Sequence, residues 1–221
     1  MKTKGFRRVF DLFLLGVVLI LAYACSVKQE ERLPILGRKE VQTKMVEGKE
    51  VLDTVYHTIE NFSFINQDSI VITQEDFKDK VYVADFFFTS CPTICPIMKS
   101  EMLRVYEAFR ENDDVLILSH TIDPEYDTVA LLKDYAERLG VDDHKKWHFV
   151  TGEKEDIYEI GQSSYMVTAM EDEEEPGGFL HSGAFILVDK HRRVRGIYDG
   201  TKELEVNKLI NDIPLLLEES N

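Results

Sequence analysis

Cysteine and tryptophan are scarce in this chain: three Cys and one Trp stand among 221 residues. So few cysteines exclude a disulfide-dense scaffold. Basic residues are also short, 26 Lys and Arg against 41 Asp and Glu, for a formal charge of -15. Such an acidic surface repels phosphate backbones and excludes nucleic acid as a partner; its ordinary meaning is solubility. No apolar run has the length of a comfortable membrane span. The longest, Leu12 to Ala24, would rise about 20 Å as a helix against a hydrocarbon core of roughly 30 Å. Internal repeats are absent, and the one low-complexity patch, Glu171 to Glu175 before Pro176-Gly-Gly178, reads as a solvated loop. What is present is 44% hydrophobic residues, enough for one ordinary core.

The N-terminus reads as an address. Lys2, Lys4, Arg7 and Arg8 precede the short apolar run, the pattern of a secretory signal. Leu21-Ala-Tyr-Ala-Cys25 resembles a bacterial lipoprotein signal in which Cys25 becomes the acylated first residue, although Ala22 stands where Leu is usual. The alternative is an uncleaved, slightly short anchor beginning nearer Val9. Either places the chain outside the cytoplasm, tethered to a membrane on its periplasmic face. Residues 1–24 are therefore expected to be a signal peptide. Residues 25–50, polar and carrying Pro34, Gly37 and Gly48, are expected to be a flexible tether, and 51–221 the folded domain.

Within that domain, Phe62 to Ile72 predicts a hairpin turning at Asn66-Gln-Asp-Ser69. Lys80 to Phe88 and Val115 to Ser119 are near-continuous apolar runs that suit strands buried on both faces. Helical spacing runs from Pro96 to Phe109, from Thr128 to Leu139 before Gly140, from Glu155 to Ser164, and from Leu204 to Leu217 with a bend or break at Pro214. Trp147 to Val150, Ala184 to Val188 and Val194 to Tyr198 complete the strands. The alternation predicts an α/β domain with a mixed central sheet flanked by helices and an N-terminal β-hairpin extension.

If Cys25 carries lipid, a single pair remains, Cys91 and Cys95. A bridge closing so small a loop adds little stability, so the pair is expected to be reactive. Cys91 falls in the loop after a buried strand. Cys95 falls in the first helical turn, where Pro96 is tolerated and negative charge is favoured. Two thiolates there form a soft metal site or a redox pair; spacing alone does not choose. A third ligand would separate these readings. His181 stands just before the Ala184 strand, after a Gly-containing loop, and is either that ligand or a surface histidine. Met98 and Met102 are read as core, and His120, His144 and His148 are given no site.

The run Phe88-Thr-Ser-Cys-Pro-Thr-Ile-Cys-Pro-Ile-Met98 resembles the signature of the SCO/SenC family of copper-handling proteins for cytochrome c oxidase. Thr121-Ile-Asp-Pro-Glu-Tyr-Asp-Thr128 is similar to that family's Asp-Pro loop after the second main strand. His181-Ser182 with Phe185-Ile-Leu-Val-Asp189 resembles the start of its His-bearing strand. Ile70 to Thr73 and Asp76 to Lys80 fall where the family has its leading hairpin. The resemblance spans roughly residues 55–217. It implies a thioredoxin-like fold and copper held by Cys91, Cys95 and His181, with Asp123 a supporting group behind them. It also implies a copper-binding subunit of a membrane oxidase as the partner. Members have been proposed both as copper donors and as thiol reductants, so a thiol–disulfide oxidoreductase without obligatory metal stays open. Tyr126 and Val129 depart from the family's usual basic residue and Pro, and the acidic loop before His181 is longer than usual.

Overall fold

The computed structural model describes residues 32–142, 145–172 and 178–219; Cys25 and the expected signal segment lie outside them. Three parallel strands form the centre: β5 (Val81–Phe87), β6 (Val115–Thr121) and β7 (Trp147–Thr151). In chain order before them come the hairpin strands β1 (Lys39–Val46) and β2 (Lys49–Tyr56), then β3 (Ser63–Asn66) and β4 (Val71–Thr73). After them come β8 (Ala169–Glu171), β9 (Phe179–His181), β10 (Ala184–Val188) and β11 (Val194–Asp199). The main sheet has the order β11-β10-β5-β6-β7-β3-β4, with β3, β4, β10 and β11 antiparallel to their neighbours. β5 and β6 are buried at every residue, which is why they read as unbroken apolar runs rather than alternating ones.

Helix α1 (Cys95–Phe109) links β5 to β6, and α2 (Val129–Leu139) links β6 to β7. Thr128 caps α2 by accepting from the Leu131 amide, and Gly140 closes it in the left-handed region at φ 77°. The predicted helix over Glu155–Ser164 is α3 (Lys154–Glu159) followed by a π-helical turn at Ile160–Ser164. Gly161 lies in that turn against the Phe86 ring, where a Cβ would stand 3.1 Å from the ring, a tight approach that glycine eases. Helix α4 (Glu203–Glu218) packs on β11 and α1 and runs unbroken through Pro214. Ile213 and Leu216, buried on either side of it, keep the last turns in place.

The hairpin expected at Phe62–Ile72 is β3 and β4, at the sheet edge. The described part of the stretch 25–50 carries backbone pairing of its own. Leu36 donates its amide to the Val194 carbonyl at 2.8 Å, and the buried Arg195 guanidinium holds the Leu33 and Pro34 carbonyls. β1 then pairs with β2 through a two-residue turn in which Glu47 and Gly48 both have positive φ, 51° and 78°. Those are the angles whose twist matches a hairpin. Composition hid this, because every β1 residue is exposed and the strand shows no apolar face to a core.

His120, near the end of β6, is fully buried and stacks on Phe86 at 4.7 Å and 10°. Burial disfavours its charged form, and the Asp85 main chain and charge oppose this without overcoming it. Burial pushes its pKa from 6.5 down to about 4. The unfolded chain therefore takes up this proton below its ordinary value while the fold refuses it. Stability contributed here is present above pH 6.5 and is lost as the pH falls towards 4, by about 3 kcal/mol. His120→Phe should make denaturant-unfolding stability less dependent on pH over that window. A parent and variant that lose the same stability on acidification would contradict this.

Candidate metal centre

β5 delivers the chain into a loop from Phe88, and α1 opens at Cys95. Ile94 occupies the N-cap in αR geometry and gives no side-chain cap, while Pro96 follows in the first turn. The Cys91 sulfur is hydrogen-bonded by the main chain of Thr93 and Cys95, with the Thr93 hydroxyl at 3.6 Å. It is also hydrogen-bonded to the Cys95 sulfur, so the two thiols meet. Neither is in a disulfide, and both are buried, at 8% and 2% exposure.

Their environments differ. Burial works to raise the Cys91 pKa, but the Thr93 and Cys95 main chain, the Cys95 thiol and the Thr93 hydroxyl outweigh it and the net shift is downward. Burial drives the Cys95 thiol well above the ordinary range; the Phe88 main chain and the Lys99 charge oppose it without overcoming it. Negative charge therefore settles first on Cys91, with Cys95 beside it as proton holder.

The loop is fixed by Asp127, a residue sequence reasoning passed over. Its fully buried carboxylate accepts from the Thr89 amide at 3.0 Å, from the Thr89 hydroxyl, and from the Thr121 hydroxyl at 2.5 Å. Asp123, the predicted supporting group, is half-buried. Its carbonyl accepts the Asp127 amide at 2.8 Å, and its carboxyl pKa is raised by burial and then by the Asp127 charge. The only available signal was that two Asp residues share the loop after β6, and spacing could not say which one turns inward.

His181 ends β9 opposite Ala169 of β8; its side chain lies outside the described residues. The main chain around it is held near the dithiol loop on both sides. Phe179 packs on Phe88 with ring centroids 5.0 Å apart, and Ile94 lies 3.6 Å from where a Cβ on Gly183 would stand. The Gly200 amide donates to the Gly183 carbonyl at 2.6 Å, securing that segment to the end of β11.

A cleft of about 320 Å³ opens beside the sulfurs, bordered by Cys91, Cys95, Lys99 and Tyr135. Lys99, one turn after Cys95, is almost wholly buried. Its ammonium donates to Asp85 at 2.6 Å and to the Ser119 hydroxyl at 3.1 Å, and lies 4.1 Å from the centre of the Phe87 ring. Ser119 in turn donates to Asp85 and accepts from the Trp147 indole at 2.9 Å. Two adjoining sulfurs shielded from water form a donor set for a soft, thiophilic ion rather than for a hard oxygen-seeking cation.

The model of the SCO1/SenC family matches residues 52–218. A SCO1/SenC family lipoprotein of Bacillus anthracis is 32% identical, with TM-score 0.67, over 73% of this chain and 96% of that one. BsSco, described as a member of the Sco family of cytochrome c oxidase assembly proteins with a disulfide switch, is 30% identical, with TM-score 0.65, over 74% and 95%. ScoI of Arabidopsis thaliana, solved with copper bound, is 26% identical, with TM-score 0.59, over 72% and 98%. The fold is thus the mixed α/β, thioredoxin-like one of Sco proteins, and this chain belongs to the SCO1/SenC family.

Proposed function

We propose that the chain takes up copper between Cys91, Cys95 and His181 and delivers it to a copper centre of a respiratory cytochrome c oxidase, or keeps that centre's thiols reduced. The observation that carries this is the meeting of two buried thiols of unequal acidity at a helix start. The main chain pinned on both sides of His181 supports that residue as the third donor. The Sco relative solved with copper and the one described by oxidase assembly support the metal and the partner, a copper-binding subunit of a membrane oxidase. Copper is cargo here. Cys91 offers charge first, Cys95 gives up its proton as the ion arrives, and a thiolate of the partner displaces them in turn. Asp127, with Asp123 behind it, keeps the loop from reorganising as cargo enters and leaves. Export on the periplasmic face, with lipid on Cys25, follows from the N-terminal sequence and is supported by the lipoprotein relative.

The unequal acidity of the thiols also favours a second reading, a thiol–disulfide oxidoreductase without obligatory metal. The Cys91 thiolate attacks a target disulfide and forms a mixed disulfide; Cys95 then releases the reduced target and is left bridged to Cys91. His181 discriminates the two, since exchange needs only the sulfurs.

Titration of the reduced chain with Cu(I) should give one ion per chain. Cys91→Ser and Cys95→Ser should abolish tight retention. His181→Ala should weaken it by more than the roughly 10- to 100-fold that loss of an outer supporting group costs. Unchanged stoichiometry and affinity in all three would sink the copper reading. In the reduced, metal-free chain, iodoacetamide followed by peptide mapping should find Cys91 modified first, its rate rising through a pKa below that of an ordinary thiol. Cys95 should stay unmodified until unfolding. Equal modification, or Cys95 first, would contradict the assigned roles.

A further inference from the structure

The Lys99–Asp85 pair is a buried ion pair that the copper and exchange readings leave unused. A buried ion pair is a poor way to gain stability, since well-packed apolar residues of the same volume commonly do as well or better. Its placement is informative. Lys99 borders the cleft that holds Cys91 and Cys95, and its ammonium pairs with the wholly buried Asp85, which also accepts from the Ser119 hydroxyl. The Lys99 charge reaches Cys95, where it favours the thiolate. Cys95 and Lys99 are four residues apart on α1 and so share one face. Arg138, which also borders the cleft, is exposed and paired with Asp134 at 2.8 Å, so water and salt screen it.

We propose that Lys99 is a positioning residue for charge at the dithiol: its buried ammonium, backed by Asp85, favours the negatively charged reduced sulfurs, and the ion they bind, over the disulfide. Two thiolates with Cu(I) and a neutral imidazole carry one net negative charge. Burying that charge is costly unless a fixed positive group stands near it. The inference rests on the copper reading for its metal half only. Its redox half concerns the balanced exchange of the Cys91–Cys95 disulfide with two glutathione thiols to give the dithiol and glutathione disulfide.

The test compares the full chain with Asp85→Asn/Lys99→Met, which removes both charges and keeps volume. Lys99→Gln, which retains a donor for Asp85, serves if the double variant does not fold. Three quantities are read: the thermal midpoint, Cu(I) affinity against a competing chelator, and the glutathione exchange constant. The double variant should melt no lower than the parent, bind Cu(I) about tenfold more weakly and shift exchange about tenfold towards the disulfide, and the last two changes should persist at high salt. Lys99→Gln should show the same two changes. Cu(I) affinity and exchange constant within about twofold of the parent in a folded charge-free variant would overturn the proposal. A parent that fails to bind Cu(I) would instead overturn the copper reading, and the exchange constant would still decide the role of Lys99.

Discussion

β5 and β6 run side by side in parallel and each gives way to a loop at the same end of the sheet. The Asp127 carboxylate joins those two exits, reaching Thr121 at the end of β6 and Thr89 just beyond β5. A carboxylate with no access to water is tolerable only when its oxygens are saturated with donors, and here three donors converge on it. Once Thr89 is held, little freedom remains before Cys91. The sulfur of Cys91 then meets the main chain of Thr93 and Cys95 at the start of α1. The chemistry at the dithiol is a consequence of where that loop is fastened.

The central strands were legible because two buried faces leave no polar positions: Val81–Phe87 and Val115–Thr121 could hardly be anything else. Helix α2 was legible from Thr128 and Gly140, whose capping chemistry marks both its ends. Cys91 and Cys95 were legible as a reactive pair from an odd cysteine count and an adjoining helix start. β1 was not, because an exposed hairpin carries no burial pattern and Glu47-Gly48 is a weak form of its turn signal. β8 and β9 escaped notice because three-residue strands are shorter than any period. Neither Asp127 nor Lys99 could be chosen from sequence. An inward-turned carboxylate and a buried ammonium are defined by partners 38 and 14 residues away.

The two sulfurs adjoin yet their acidities are pushed in opposite directions. Main-chain donors at the helix start work on Cys91, and burial dominates Cys95. That inequality suits a site that must both seize and release a ligand. Equal, strongly acidic thiols would hold a soft cation too well, and equal, buried neutral thiols would not attract it. Both sulfurs are nonetheless largely buried, at 8% and 2% exposure, so solvent screens the imbalance little.

The central claim is that His181 joins Cys91 and Cys95 around one copper ion. X-ray absorption at the copper edge of the Cu(I)-loaded chain tests it most directly. The account predicts two sulfur scatterers and one imidazole, with the imidazole signature lost and both sulfurs retained in His181→Ala. A copper shell without imidazole in the parent, or an imidazole that persists in His181→Ala, would contradict it.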